Sequence, residues 1–225
     1  MKKLLIFDVD GTLCDTDTIL IKTWDELFKL YKKDGSKFNP DKIKIYSGPP
    51  LEFSIHDAFP EMDSKFIHDE YRKRTKKYYD TDLTLFNNTK EVLEYLYNKG
   101  YILVTLTAKN FEMTSYSFKK LGIDKYFKEY VTRSNGFKSK PDPEGINYLL
   151  NKYNIKKEEA LMIGDTNIDL LCAKNALIDS CLLSIKERYG IEEKNIKYKC
   201  NNYIELKELI DKLWQAIIKF LFHKK

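Results

Sequence analysis

Short runs of consecutive apolar residues alternate along the chain with longer segments whose apolar residues recur every three or four positions. The runs are Leu4–Phe7, Tyr101–Leu106, Tyr130–Thr132, Ala160–Ile163 and Cys181–Ser184. Such runs are typical of strands that are buried on both faces of a parallel sheet. Because helical segments separate them, the pattern predicts the α/β class, with a Rossmann-like doubly wound parallel sheet and helices on both faces.

The segments between the later runs have the apolar spacing of amphipathic helices. We predict helices over Lys90–Lys99, Phe111–Leu121, Pro143–Tyr153 and Ile168–Asn175. Gly100 and Gly122 directly follow the first two segments. Glycine is common at this position because it ends a helix without steric cost.

The C-terminal segment Ile204–Phe222 is also helical in pattern. Its apolar stripe consists of Trp214, Ile217, Ile218 and Leu221. We expect this stripe to pack on the core, as apolar stripes ordinarily do. A membrane-surface or partner-binding helix is the alternative, because lysines flank the stripe.

A different pattern interrupts the alternation of strands and helices between about Thr16 and Asp82. Helical spacing occurs in Ile19–Tyr31 and again in Ser64–Tyr79, and the turn-forming stretch Tyr46–Pro50 separates them. We therefore predict an inserted α-helical cap domain over residues 16–82. The α/β core domain then comprises residues 1–15 and 83–225.

Composition narrows the functional classes. The net charge is +5, with 39 Lys and Arg against 34 Asp and Glu. This mild excess suits an anionic substrate and is too dispersed to require nucleic acid. No stretch is long and apolar enough to span a bilayer, so we expect no membrane partner. The cysteines lack metal-ligand spacing, which favours free thiols and a cytoplasmic location.

Polar residues stand at or after the carboxyl ends of the first four predicted strands. In chain order they are Asp8 and Asp10, Thr107, Lys140, and Asp165 with Asp169. The carboxyl ends of parallel strands meet at one edge of a sheet, where ligands bind in open α/β folds. We therefore expect these side chains to converge.

This set of residues has the chemistry of a phosphoryl-transfer site. Several carboxylates crowd together only when a cation offsets their repulsion, and ligands that are all oxygen favour Mg²⁺. Lys140 and the Thr107 hydroxyl suit the oxygens of a phosphoryl group. The backbone amides of the turn at Asp10 and Gly11 can complete an anion-binding nest.

The same residues resemble the motifs of a known family. The segment Phe7–Leu13 is similar to the first motif of the haloacid dehalogenase-like phosphatases. Thr107, Lys140–Pro143 and Gly164–Asp169 resemble the second, third and fourth motifs. The resemblance covers nearly the whole chain, and it is closest to the phosphoglycolate phosphatase-like subgroup with a small helical cap.

The resemblance implies a role for each motif residue. Asp8 is the nucleophile that forms an aspartyl-phosphate, and Asp10 is the general acid and then the general base. Thr107 and Lys140 bind the phosphoryl oxygens. The metal ligands are Asp8, Asp10 through its carbonyl, Asp165 and Asp169, the last either as a direct ligand or just outside the direct ligands. Asp10 favours phosphoryl transfer over dehalogenation, because dehalogenases of the family lack this second aspartate.

The second and third motifs leave alternatives. Related phosphatases carry Asn after the motif threonine, whereas this chain has Ala108 followed by Lys109. We place Ala108, Lys109 and Gly11 beside the substrate. Thr105 competes with Thr107, although the distance from Gly100 favours Thr107. Lys138 competes with Lys140, although the prolines after Lys140 match the motif better.

Residues of the predicted cap are candidates for substrate selection. The segment Ser47–Leu51 resembles the cap loop that faces the active site in phosphoglycolate phosphatases and pyrophosphatases of the family. This resemblance makes Gly48 and Pro49 candidate substrate-binding residues. Arg72 stands where related phosphatases carry a cap arginine and suits a second anionic group. Alternatively, the basic run that contains Arg72 is a solvated helix face.

These features predict a Mg²⁺-dependent phosphatase of a small organic phosphate monoester, with phosphoglycolate-like compounds as candidate substrates. A sugar-phosphate mutase similar to β-phosphoglucomutase, or a pyrophosphatase of the same family, is the alternative within enzymes. A binding module without activity is disfavoured because every motif position is filled. We expect a small phosphorylated partner, no nucleic acid, and a monomer or homodimer.

Overall fold

The computed structural model describes residues 2–47 and 50–222, with side chains described up to residue 214 in the last helix. Its strands are β1 (Leu4–Phe7), β2 (Cys14–Asp15), β3 (Thr84–Leu85), β4 (Ile102–Leu106), β5 (Glu129–Val131), β6 (Ala160–Gly164), β7 (Asp179–Leu183) and β8 (Tyr198–Cys200). Six of them form one parallel sheet in the order β5-β4-β1-β6-β7-β8. Strands β2 and β3 form a separate two-stranded sheet.

The helices are α1 (Asp17–Tyr31), α2 (Ile43–Tyr46), α3 (Leu51–Ala58), α4 (Ser64–Asp82), α5 (Thr89–Asn98), α6 (Phe111–Leu121), α7 (Glu144–Lys152), α8 (Asn167–Ala176) and α9 (Tyr203–Phe222). Strands and helices alternate through the second half of the chain. This confirms the predicted Rossmann-like α/β fold with its parallel sheet.

Strand β1 lies at the centre of the sheet and is fully buried. It pairs with β4 on one side and β6 on the other, with Leu4 opposite both Ile102 and Ala160. All four side chains of β1 have no exposed surface, which explains its uninterrupted apolar sequence. The backbone N–H of Asp8 donates to the Ile163 carbonyl over 2.9 Å. This bond continues the ladder and fixes Asp8 at the carboxyl end of β1.

Several short elements are absent from the sequence predictions. Strand β8 has only three residues, with the exposed Lys199 between its outer two. Helices α2 and α3 have four and eight residues. The three residues of β8 and the four residues of α2 are too few for a hydrophobic period to be recognised.

The chain divides into two compact units, Met1–Leu13 with Leu85–Lys225, and Cys14–Thr84. In the first unit, an apolar cluster joins strand residues that include Ile6, Val104 and Met162 to buried residues of α7 and α8. In the second unit, the core is aromatic and centres on Trp24, whose ring lies 5.1 Å from that of Tyr46. The predicted limits of the core and cap domains stay a prediction.

Two helix ends illustrate how the sequence sets the boundaries of the core elements. Helix α6 ends at Leu121, and Gly122 takes the left-handed conformation with φ +65°. Its N–H bonds back to the Lys119 carbonyl over 3.1 Å, as a glycine cap does. Asn110 begins the same helix by accepting the N–H of Met113 over 2.8 Å.

The first half of helix α9 packs on the sheet unit. Tyr203, Leu206 and Ile210 have no exposed surface, and the Trp214 ring lies 5.8 Å from that of Tyr101. The rest of the predicted stripe, Ile217, Ile218 and Leu221, lies outside the residues whose side chains are described. Within the described ranges, no helix is both long enough and apolar enough to cross a membrane.

Candidate active site

The predicted site residues of the sheet unit meet at the carboxyl edge of the sheet. Asp8 follows β1, Thr107 follows β4, and Asp165 follows β6. Lys140 lies in the loop between β5 and α7, and Asp169 lies in the first turn of α8. Because the strands are parallel, their carboxyl ends bring these side chains to one edge of the sheet.

Three buried carboxylates form the centre of this site. Asp8, Asp165 and Asp169 each place a carboxylate oxygen within 4.8 Å of the other two. Their exposed fractions are 7%, 2% and 0%. Hard oxygen ligands in this number fit a divalent cation that completes its shell with water and substrate oxygens. Among the described residues, this cluster of Asp8, Asp165 and Asp169 is the candidate metal site.

Lys140 connects two of the three carboxylates. Its Nζ donates to Oδ1 of Asp8 over 2.7 Å and to Oδ1 of Asp169 over 2.6 Å. Burial alone would lower the pKa of the Lys140 ammonium, but the carboxylates of Asp169 and Asp8 outweigh burial and raise that pKa above its ordinary value. The lysine therefore stays charged. Lys138, the competing candidate, is exposed and lies 3.8 Å from Asp142.

The start of helix α8 orients Asp169. Its Oδ2 accepts the Thr166 N–H over 3.1 Å and the Thr166 hydroxyl over 2.7 Å. This reciprocal cap leaves Oδ1 of Asp169 to Lys140. Gly164 leaves room for the arrangement, because a Cβ there would lie 2.4 Å from Cβ of Asp169.

Burial and mutual repulsion disfavour the ionised forms of the Asp8 and Asp165 carboxyls. Burial raises the pKa of Asp8 to about 7; Lys140 opposes the shift, and the charges of Asp169 and Asp165 add to it. Burial likewise raises the pKa of Asp165 to about 6 against the lowering effect of Arg188. The protein cations therefore compensate the negative charge only in part. A bound divalent cation would supply the missing positive charge.

Asp10 and Lys109 form a second ion pair beside this cluster. The Lys109 Nζ lies 2.7 Å from Oδ1 of Asp10. The Lys109 side chain is 6% exposed, whereas that of Asp10 is 32% exposed. The more open Asp10 carboxyl has the access to solvent and substrate that an acid and base needs. Lys109, which we predict from the sequence to lie beside the substrate, contacts the candidate acid and base.

The two candidate threonines differ in their surroundings. Thr105 lies inside β4, opposite Phe7, and its buried hydroxyl has no hydrogen-bond partner among the described residues. Thr107 lies just beyond the strand, where its hydroxyl accepts the Lys109 N–H over 3.2 Å. Ala108, the next residue, is exposed. The edge position of Thr107 is the one that suits a phosphoryl contact.

Two residues join the site that sequence reasoning left without a role. Arg188 donates from Nε to Oδ2 of Asp165 over 2.7 Å, and the Thr12 hydroxyl donates to Oδ1 over 3.0 Å. Arg188 lies in the loop after β7, where the charged residues Lys186 and Glu187 precede it, so its position after a strand does not single it out in the sequence. Gly11 lies against the pair, because a Cβ there would stand 2.2 Å from Oδ2 of Asp165.

Of the three predicted substrate-binding residues of the cap, the structure describes only Arg72. Arg72 is exposed on α4 and has no ion pair with any residue in the described ranges. Its neighbour Arg74, in contrast, pairs with Glu70 and Glu26. Gly48 and Pro49 lie outside the described residues. The substrate-binding roles of Arg72, Gly48 and Pro49 stay predictions.

Comparison with known proteins places this arrangement in a family. The sequence model of the haloacid dehalogenase-like hydrolases matches residues 5–183. The chain is 32% identical over 172 residues to the pyrophosphatase PpaX of Listeria monocytogenes, covering 76% of this chain and 78% of that protein.

Two solved structures share the fold. A predicted phosphoglycolate phosphatase from Haemophilus somnus has a TM-score of 0.83 at 21% identity, covering 93% of this chain and 98% of that one. A haloacid dehalogenase-like family hydrolase from Streptococcus pneumoniae has a TM-score of 0.78 at 23% identity, with coverage of 93% and 98%. The family match includes Asp8, Thr107, Lys140 and Asp165. The chain belongs to the haloacid dehalogenase-like hydrolases.

Proposed function

We propose that this hydrolase is a Mg²⁺-dependent phosphatase that cleaves a small organic phosphate monoester through an aspartyl-phosphate on Asp8. The observation that carries the proposal is the buried Asp8 carboxylate, which Lys140 holds at 2.7 Å inside a cluster with Asp165 and Asp169. The ammonium orients one oxygen of Asp8 and favours the ionised form of the carboxyl. The other oxygen is then available for attack on phosphorus.

The reaction has two steps that share one acid and base. In the first, Asp8 forms a bond to phosphorus while the bond to the leaving oxygen breaks, and Asp10 gives its proton to that oxygen. In the second, water attacks phosphorus, Asp10 takes the water proton, and the bond between Asp8 and phosphorus breaks. Asp8 is thereby restored as a carboxylate and inorganic phosphate leaves.

The remaining residues bind and orient the phosphoryl group. Thr107 and Lys140 donate to its oxygens, and the turn at Gly11 offers backbone amides. Asp8, Asp165, Asp169 and the Asp10 carbonyl would hold Mg²⁺, which neutralises charge that develops on the phosphoryl oxygens.

We also propose two candidate substrates for this site. Phosphoglycolate-like compounds are the first candidates, with Arg72, Gly48 and Pro49 of the cap, and Ala108 and Lys109 of the core, as contacts. Inorganic pyrophosphate is the second candidate, because the relative from Listeria monocytogenes is named a pyrophosphatase. The two buried ammonium groups, Lys140 and Lys109, also suit a highly charged substrate. A cytoplasmic location accords with four buried free cysteines.

Phosphate release from a panel of substrates tests the proposal. The panel contains phosphoglycolate, pyrophosphate, an aryl phosphate, and a hexose phosphate supplied with a bisphosphorylated sugar, each assayed with and without Mg²⁺. We expect Mg²⁺-dependent release of phosphate, and the preferred compound identifies the substrate class. Rapid sugar isomerisation with little free phosphate would instead indicate a mutase.

The Asp8→Asn variant tests the nucleophile. Because an amide is not a nucleophile at phosphorus, we expect kcat to fall by about 10⁴-fold or more. Asp69→Asn, on the exposed surface of α4, serves as the matched control and should keep wild-type activity. Activity retained by Asp8→Asn would exclude Asp8 as the nucleophile.

A further inference from the structure

Arg188 forms a buried ion pair with one of the candidate metal ligands. Its Nε lies 2.7 Å from Oδ2 of Asp165, and both side chains are almost fully enclosed, with exposed fractions of 2% and 1%. Buried arginine side chains are uncommon, since the charge loses its hydration. The guanidinium of Arg188 keeps a charged partner, the Asp165 carboxylate, in place of its hydration.

The ion pair completes a set of contacts that fix the Asp165 carboxylate. Thr12 donates to Oδ1 while Arg188 donates to Oδ2, so both oxygens accept a bond from the protein. A carboxylate oxygen has two lone-pair sites, so one such bond still allows the oxygen to contact a cation. The contacts are therefore compatible with metal binding, and they hold the plane of the carboxylate.

The turn at Gly11 packs on the same guanidinium. A Cβ at Gly11 would lie 2.7 Å from Nη2 of Arg188 and 2.2 Å from Oδ2 of Asp165. Gly11 also has φ +83°, a conformation that favours glycine. Arg188 thus lies against both the loop that follows β1 and the Asp165 carboxylate that follows β6, two of the three segments that carry candidate metal ligands.

We propose that Arg188 is a positioning residue that holds the Asp165 carboxylate in the orientation that the cation requires. The inference rests on the proposed function, because it takes Asp8, Asp165 and Asp169 as the metal site. Loss of a residue that orients a metal ligand typically costs about 10–100-fold in metal affinity or activity. Arg188 acts through Asp165 and need not touch the substrate.

Calorimetric titration of Mg²⁺ into metal-free protein, without substrate, tests this role. We expect Arg188→Met to raise the Kd for Mg²⁺ by about 10–100-fold relative to wild type. Arg188→Lys keeps the charge and one donor but loses the planar guanidinium, so its Kd should lie between the two. Lys194→Met removes the same charge from an exposed position and should leave the Kd unchanged.

The outcomes separate the proposals. If wild type binds no Mg²⁺, the proposed function fails. If wild type binds Mg²⁺ and Arg188→Met binds it equally well or more tightly, only the positioning role is overturned. A lower Tm without a change in Kd would show a purely structural role and would also overturn it. If Arg188→Met does not fold, Arg188→Lys decides between the outcomes. A Kd for Mg²⁺ above that of wild type supports the inference, and a Kd equal to that of wild type refutes it.

Discussion

At the residue scale, the two lysines of the site, Lys140 and Lys109, form ion pairs with aspartates that have different candidate roles. Lys140 contacts Asp8 and Asp169, two carboxylates of the candidate metal cluster, whereas Lys109 contacts Asp10, the candidate acid and base. Removal of one partner from a buried ion pair leaves an uncompensated charge and is strongly unfavourable. Removal of Lys140 should therefore affect the candidate metal cluster, whereas removal of Lys109 should affect the candidate acid and base.

Lys140→Met should lower kcat/KM by about 10²–10³-fold, because the variant loses both the contact that orients Asp8 and a donor to the phosphoryl oxygens. Steady-state kinetics on the preferred substrate measures the effect. Lys138→Met is the matched control, since Lys138 is 76% exposed, and its kcat/KM should stay within about twofold of wild type. Equal effects of the two substitutions would contradict the assignment of Lys140 to the third motif.

At the element scale, the turn from β6 into α8 shows how a short segment positions chemistry. Gly164 ends the strand, Thr166 caps the helix, and Asp169 occupies the first helical turn. The cap bonds use one oxygen of Asp169 and direct the other to Lys140. The motif is therefore both a structural cap and a part of the site, which is why its residues occur at this spacing.

Gly164→Ala should disturb this turn. The new Cβ would lie 2.4 Å from Cβ and Cγ of Asp169, so the carboxylate must move. We expect a loss of about 1–3 kcal/mol in the free energy of unfolding, together with weaker Mg²⁺ binding. Thermal unfolding and calorimetry measure the two effects.

Gly100→Ala provides the comparison for that experiment. Gly100 has φ +81°, and a Cβ at this position would have no atom within 4 Å. Its substitution therefore strains the backbone by about 1–2 kcal/mol without touching the site. Its Mg²⁺ affinity should be that of wild type. Were both glycine variants to keep wild-type affinity, the proposed coupling of the turn to the metal site would be wrong.

At the scale of the whole molecule, the buried carboxylates of the candidate site lower the stability of the metal-free protein at pH values where they are ionised. The carboxylates of Asp8, Asp165 and Asp169 face the cations of Lys140 and Arg188 in a buried space. Burial raises the pKa of Asp8 to about 7 and that of Asp165 to about 6. The folded state therefore binds more protons than the unfolded state between their ordinary pKa values and these raised values.

Stability must consequently fall as pH rises through this window. In EDTA, we expect Tm to decrease between about pH 5 and pH 8 as Asp8 and Asp165 ionise, and Mg²⁺ should restore it at pH 8. Asp8→Asn removes one negative charge from three carboxylates that face two cations, and Lys140 keeps Asp169 as its partner. In EDTA at pH 8, it should exceed wild type by at least about 1 kcal/mol, or about 2–4 °C in Tm. A Tm that rises from pH 5 to pH 8 in EDTA would refute this expectation.

Much of the architecture could be predicted because it depends on local patterns. The apolar run Leu4–Phe7 predicted a strand that is buried on both faces of a parallel sheet. Strand β1 is such a strand, because none of its four side chains has exposed surface. The polar residues that follow such strands then had to meet at one edge of a parallel sheet. By contrast, three-residue β8 and four-residue α2 offer no period to recognise.

The sequence by itself determined the α/β class and the order of the residues that follow the strands, because these depend on hydrophobic periodicity and on the direction of parallel strands. Only the tertiary structure decided which charges pair. Lys140 meets Asp8 across 132 positions of chain, Lys109 meets Asp10 across 99, and Arg188 meets Asp165 across 23. Such pairings depend on how loops of different strands pack at the sheet edge, and no local pattern encodes that packing.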